Sequence, residues 1–279
     1  MLNRSMSPCQ AKSELYSVPY RKMLVNIIPR IWFRFVRNSG LYGGCLMRSG
    51  QKPGFSGGVF VRGSFWCVLA SVLTLLAVPA FAGQTMIRSY SVARDRFFYK
   101  RLYPHGGWTI YCGKRWRTRG GLNIEHIYPA SWMAKHVGCG TRGRCQRGSQ
   151  RFNFMEADLH NLYPSLARIN QARSNYGYSL LPDTPGFVEW CDFRVRKSKK
   201  LVQPRRIARG NLARSIFYMH REYGLPVPQG MRGLLLRWHR ADRVSPHERR
   251  RNNAIERLQG TRNPFIDNPC LANSLGFGS

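Results

Sequence analysis

From residue 83 onward, apolar positions fall into short groups separated by Gly and Pro, a pattern that predicts brief strands among several helices. Ser91 to Tyr103 has the spacing of an opening helix that stops at Pro104 and Gly106-Gly107. Trp108 to Trp116 and Leu122 to Ile127, aromatic and β-branched around Gly-rich turns, read as strands. After Pro129 the pattern lapses into a Gly- and Arg-rich stretch, expected to be a loop to about Arg151. Leu159 to Tyr163 follows as a brief strand, and Ser165 is placed to cap a helix from Leu166 to about Asn175. Further helices are expected at Leu212 to Tyr223, stopped by Gly224 and Pro226, and at Met231 to Ala241. Ser245-Pro246-His247-Glu248 combines an N-cap, Pro at the first helical position and Glu at the third, with Gly260 where that last helix should end. No internal repeat or long linker divides this region. The expected class is therefore α+β: a mainly helical single domain built around a small ββα element.

Ahead of it, residues 61–82 form an apolar run that follows Arg48, Lys52 and Arg62 and ends in Ala80-Phe81-Ala82, a small-x-small cleavage signature. A signal peptide cut after Ala82 is expected. The run from Ser64 is barely long enough to span a bilayer, and Pro79 sits beside the cut, which disfavours an anchor. Some sixty residues before the apolar core are too many for an ordinary n-region, whereas Met47 lies just before Arg48. Residues 1–46 thus read as an extension ahead of the true start, 47–82 as the signal peptide and 83–279 as the mature domain.

Charge sharpens the picture of the partner. The chain carries 45 Lys+Arg against 13 Asp+Glu, a net +32, and residues 83–279 retain 35 − 12 = +23. Most of the excess is Arg, whose planar fork matches phosphate oxygens, so a polyanion such as nucleic acid is implied, with an acidic envelope surface as the alternative. Five cysteines, Cys112, Cys139, Cys145, Cys191 and Cys270, remain after residue 82, so at most two bridges form among them. Cys139 and Cys145 bracket a short segment and could staple it. Zinc is disfavoured, because no CxxC pair or compact Cys/His set accompanies them.

Candidate chemistry lies in Gly-Leu-Asn-Ile-Glu-His-Ile-Tyr-Pro-Ala (121–130), in Asp-Leu-His-Asn (158–161) and at Asn170. A carboxylate, an imidazole and amide oxygens supply a hard-metal ligand set and a general base, as phosphodiester hydrolysis needs. His126 suits the base, although a lone strand His is more often structural. Glu125 and Asn170 suit Mg²⁺, although Glu125 could equally pair with one of many arginines. Side chains alternate along a strand, so Glu125 and His126 can share a site only if the strand ends or bulges there. Nine residues separate Asn161 from Asn170, letting Asn161 brace the His126 loop from the β-element while Asn170 projects from the helix.

Six ordered blocks carry a resemblance: Tyr-Cys-Gly (111–113), Glu-His-Ile-Tyr-Pro-Ala-Ser-Trp (125–132), Met-Glu-Ala-Asp-Leu-His-Asn-Leu-Tyr-Pro (155–164), Ile-Asn-Gln-Ala-Arg-Ser-Asn (169–175), Arg-Gly-Asn-Leu-Ala-Arg-Ser-Ile-Phe-Tyr-Met (209–219) and Gly-Thr-Arg-Asn-Pro-Phe-Ile-Asp (260–267). From Ser91 to Cys270 the chain resembles the bacterial endonuclease I family, periplasmic or secreted non-specific nucleases of the ββα-metal, HNH-like class. The resemblance implies His126 as general base, Glu125 and Asn170 as ligands of one Mg²⁺ that Mn²⁺ can replace, and Asn161 as the middle Asn of the HNH pattern. It further implies Glu156 as another acidic site residue and Arg142 as the phosphate-stabilising arginine, with Arg144, Arg147 and Arg151 as alternatives nearby. The implied substrate is DNA, with RNA left open, gripped through its backbone by a monomer without stable membrane association, and cut to 5′-phosphate and 3′-hydroxyl ends. Lys114 and the run Arg117 to Leu122 stand where relatives carry further cysteines, so no disulfide pairing transfers. His160 and the other histidines receive no role. The cluster Arg194 to Lys200 with Arg205 and Arg206 suits either a backbone-tracking patch or a solvated loop. A non-catalytic, basic DNA-binding envelope protein is the alternative class.

Overall fold

The computed structural model describes residues 83–277, so the expected extension and signal peptide lie outside the described residues. The opening helix forms, but with a wider winding than expected. A turn of α-helix, α1 (Tyr90–Val92), capped by the Ser89 hydroxyl, runs into a π-helix at Ala93–Leu102 that closes with Tyr103 N–H on the Phe98 carbonyl, five residues back, at 2.9 Å. Ala93 and Phe98 anchor it in a core cluster with Ile87, Tyr103, Ile124, Leu162 and Ile255. Two-residue strands β1 (Gly107–Trp108) and β2 (Arg115–Trp116) then pair antiparallel. Gly106 enters this ladder at φ +80°, where a Cβ would stand 2.0 Å from the Trp116 carbonyl oxygen, so only glycine fits.

Strand β3 (Leu122–His126) pairs antiparallel with β4 (Leu162–Leu166), placing Glu125 opposite Tyr163 and His126 opposite Leu162. Helix α5 (Ala167–Arg173) leaves β4 directly. Ser165 does not cap it: that residue is buried within β4, and Leu166 occupies the N-cap without a side-chain bond.

The expected loop between Pro129 and Arg151 is instead helical, as α2 (Ala130–Val137), α3 (Arg142–Gly148) and the start of α4 (Gln150–Glu156). Gly138 ends α2 in the left-handed region, the Thr141 hydroxyl caps α3 and the Ser149 hydroxyl caps α4. α2 buries Ala130, Met133 and Ala134 but is too short, at eight residues, for a period to stand out, and α3 is hidden by its glycines and arginines. Capping, the Cys139–Cys145 bridge and burial of Cys145, Phe152 and Met155 supply what periodicity lacks. A 3₁₀ turn, Leu159–Asn161, replaces the first part of the expected strand.

A four-stranded sheet follows that the pattern did not reveal, built from β5 (Gly177–Tyr178), β6 (Gly186–Val188), β7 (Cys191–Arg196) and β8 (Leu201–Gln203) in the order β5-β8-β7-β6. β5 and β8 are parallel and the other pairs antiparallel. Cys112–Cys191 ties β7 to the turn between β1 and β2.

The helices α6 (Arg209–Tyr223), α7 (Gln229–Ala241) and α8 (Pro246–Gln259) form as expected, α6 starting three residues early; α9 (Pro264–Asp267) follows. Ser245 and Glu248 make the reciprocal capping box, and Gly260 ends α8 at φ +77°. Helix α6 is buried along most of its length, with Leu212, Ala213, Ile216, Phe217 and Met219 in the larger core cluster.

His160 sits at the junction of these layers and makes the fold acid-sensitive. Its Nε2 donates to the Thr261 carbonyl at 3.0 Å, and Nδ1 has no partner among the described residues. Burial holds its pKa down from 6.5 to about 4. Between those values the unfolded chain binds a proton that the native state refuses, so stability falls as pH drops through that window, by roughly 3 kcal/mol for this residue. Denaturant midpoints from neutral to mildly acid pH should show a shallower acid slope for His160→Gln than for wild type; parallel slopes would exclude this origin.

Candidate active site

His126 is the last residue of β3 and is nearly buried. Its Nε2 lies 2.9 Å from the Glu156 carbonyl oxygen. A carbonyl only accepts, so Nε2 carries the hydrogen and the lone pair resides on Nδ1, for which no partner is seen among the described residues. Burial, reinforced by the Arg142 charge and opposed by the Glu156 carbonyl, holds the His126 pKa down to about 3, so the ring is neutral at ordinary pH. Tyr90 packs against it with ring centroids 5.0 Å apart.

The backbone leaving His126 is clamped by Asn161. Its side-chain oxygen accepts from Tyr128 N–H at 2.7 Å and its amide nitrogen donates to the Tyr128 carbonyl at 3.0 Å. The Asn161 carbonyl also accepts from Ile127 N–H at 3.0 Å. Asn161 is wholly buried and works from the 3₁₀ turn rather than from β4.

β3 keeps continuous register to His126 and ends there, so strand termination, not a bulge, separates Glu125 and His126. The two side chains engage different partners. Glu125 is 3% exposed, and its Oε1 accepts from the Tyr111 hydroxyl at 2.7 Å while lying 3.1 Å from Arg173 Nε. Its arginine partner is thus a buried one, not a surface one. Burial raises the Glu125 pKa, opposed by the Arg173 charge and the Tyr111 hydroxyl. The His126 backbone N–H also donates to this carboxylate, and no side-chain bond to Oε2 is seen among the described residues.

Asn170 lies midway along α5 and donates through Nδ2 to the Ile124 carbonyl at 3.3 Å, and no partner of its side-chain oxygen is seen among the described residues. A carboxylate oxygen and an amide oxygen are hard donors of the kind that a divalent cation such as Mg²⁺ accepts. No group of three or more His, Cys, Asp or Glu that could hold a metal occurs among the described residues.

Arg142 and Glu156 meet on the other side of His126. The Arg142 guanidinium pairs with the fully buried Glu156 carboxylate, yet its side chain remains 46% exposed. Gln146 Nε2 donates to both Glu156 oxygens, at 3.2 and 2.9 Å, and Arg142 lies over the Tyr90 ring at 5.0 Å. These groups line a cleft of about 550 Å³ together with Arg94 and Asn153. Of the alternative arginines, Arg151 donates to the Tyr223 carbonyl at 3.0 Å, while Arg144 and Arg147 are exposed on α3.

Residues 84–270 match the family model described as Endonuclease I. The chain belongs to the endonuclease I family. Similar relatives include an extracellular deoxyribonuclease of Aeromonas hydrophila, 31% identical over 228 residues that span 72% of this chain and 98% of the relative. A periplasmic deoxyribonuclease of the same organism is 32% identical over 229 residues, 73% of this chain and 95% of the relative. An extracellular ribonuclease of Bacillus amyloliquefaciens is 30% identical over 178 residues, 56% of this chain and 54% of the relative. This endonuclease I chain is accordingly a nuclease that works in the periplasm or outside the cell. No helix among its described residues is long and apolar enough to cross a membrane.

Four residues of this endonuclease I site escaped the sequence reading: Tyr90, Tyr111, Arg173 and Tyr178. Tyr111 and Arg173 lie inside matching blocks, and Arg173 falls one helical turn after Asn170, a spacing that places both near β3. Tyr90 and Tyr178 carried no signal. In the basic cluster, Arg194, Arg196 and Arg205 brace neighbouring loops, donating to the Pro182 carbonyl, the Thr184 hydroxyl and the Ile110 carbonyl. Lys197, Lys199 and Lys200 are exposed.

Proposed function

We propose that this endonuclease hydrolyses phosphodiester bonds of DNA, with RNA as a second substrate, with little sequence preference and through a ββα-metal arrangement of β3, β4 and α5. The observation that carries the reading is the fixed His126 tautomer: an imidazole held neutral, its Nε2 pinned, its Nδ1 lone pair left to act. Nδ1 takes the proton from a water molecule as that water attacks the phosphorus in line. Asn161 keeps the backbone after His126 in place, so the ring does not turn away from the reacting atoms. Arg142, tethered to Glu156 yet exposed, donates to a non-bridging phosphate oxygen. Glu125 and Asn170 would hold one Mg²⁺, or Mn²⁺ in its place, which when bound would supply positive charge for the phosphate and for the departing 3′ oxygen. The ends formed are 5′-phosphate and 3′-hydroxyl. Exposed cations grip the backbone without reading bases, which accounts for the low specificity. The relatives named as deoxyribonucleases and as a ribonuclease support this range of substrates, and the mature protein acts as a monomer without stable membrane association.

Supercoiled plasmid is expected to be nicked and then linearised with Mg²⁺ and left intact with EDTA. A mobility shift without cleavage under both conditions would instead identify a binding protein on a nuclease fold.

A further inference from the structure

A carboxylate whose work is to hold a cation is seldom given a buried cation as its neighbour, yet Glu125 has one. Arg173 is 1% exposed and cannot swing away. Its Nη1 donates to the Ser174 carbonyl at 3.0 Å, and its Nη2 donates to the Ile127 carbonyl at 2.7 Å and to the Tyr178 hydroxyl at 3.0 Å. The guanidinium also lies over the Tyr178 ring at 5.1 Å. Tyr178 and Tyr111 share a hydroxyl–hydroxyl bond of 2.7 Å, and Tyr111 donates onward to Glu125 at 2.7 Å. Donors therefore run in one direction, Arg173 to Tyr178 to Tyr111 to Glu125, and both the hydroxyl and the guanidinium converge on Oε1. The His126 backbone N–H also donates to this carboxylate, and among the described residues no side chain is seen on Oε2.

We infer that Arg173, acting with Tyr111, is a positioning residue that limits Glu125 to one donor oxygen and offsets part of its charge, so that the free protein binds a divalent cation weakly and holds it firmly only when nucleic-acid phosphate is present. The inference rests on Glu125 being the metal-holding carboxylate proposed above. Its physics is direct. With Oε1 occupied, two-oxygen chelation is blocked, and a fixed positive charge 3.1 Å from that oxygen opposes a second cation nearby. Mg²⁺ commonly relies on one or two carboxylates plus substrate phosphate, and here the phosphate restores the negative charge that Arg173 takes away. Asn170, one turn earlier on the same helix, adds an oxygen but no charge.

The test is a Mn²⁺ titration of the free protein, followed by electron paramagnetic resonance at mildly alkaline pH, beside plasmid cleavage rates. Arg173→Gln is expected to bind Mn²⁺ roughly tenfold more tightly and to cleave more slowly, because the oxygen is no longer aimed. Tyr111→Phe deletes only a hydroxyl and should move both readings the same way, with affinity up about threefold. It carries the test if Arg173→Gln does not fold. A merely structural network would lower affinity and rate together. The inference is overturned if neither folded variant tightens Mn²⁺ binding while Glu125→Gln abolishes it. If Glu125→Gln binds Mn²⁺ as wild type does, the ligand assignment itself has failed.

Discussion

His126→Ala is expected to lower the plasmid cleavage rate by roughly 10³-fold while leaving DNA affinity near the wild-type value. The loss comes from Nδ1, the one nitrogen that the fold leaves with a lone pair, since Nε2 is committed to the Glu156 carbonyl. Truncation also strips that carbonyl of its donor, at a cost of about 1–3 kcal/mol, so rates should be compared well below the unfolding midpoint. Added imidazole should restore part of the activity in the vacated space. The general-base reading does not survive a variant that cleaves within tenfold of wild type at saturating Mg²⁺.

The largest stability loss is expected for Arg214→Met. Arg214 on α6 and Glu248 on α8 form a two-pronged pair, with Nε to Oε1 at 2.7 Å and Nη2 to Oε2 at 2.8 Å, and both side chains are almost wholly buried. Removing the cation strands a buried carboxylate and frees the Asp242 carbonyl, which Arg214 Nη1 serves at 2.8 Å. A loss of about 3–5 kcal/mol follows. Glu248 also closes the Ser245 capping box, so the informative partner change is Glu248→Gln, which keeps the cap and drops the charge. The double variant should recover part of the loss in denaturant unfolding. A single-variant loss below about 1 kcal/mol would mean that the pair is less isolated from water than its burial implies.

The helices α6, α7 and α8 were legible because burial and capping speak locally: an apolar face, a Pro at the first turn, a Gly at the stop. The region 138–151 was not, since its helices rest on two hydroxyl caps and a six-residue disulfide staple rather than on a stripe. The sheet from β5 to β8 escaped for another reason: strands of two to six residues leave too little alternation to detect, and β5 pairs in parallel with a strand over twenty residues away. The site divides similarly. Glu125, His126, Asn161 and Asn170 drew attention through their chemistry and spacing. Arg173 did not, because an arginine among 45 Lys+Arg gives no sign that it is a buried one.

Glu156 ties two of these placements together. Its backbone carbonyl fixes the imidazole, and its carboxylate, buttressed by Gln146, fixes the guanidinium of Arg142. The proposed base and the proposed phosphate-binding arm are thereby referenced to a single residue instead of to each other. His126 stands on β3 and Arg142 on α3, so a displacement of α4 would turn the imidazole and the guanidinium together while the backbones that carry them stay in place. On the proposed chemistry, a change at Glu156 would therefore disturb water activation and phosphate binding at once, two steps that separate anchors would have kept independent.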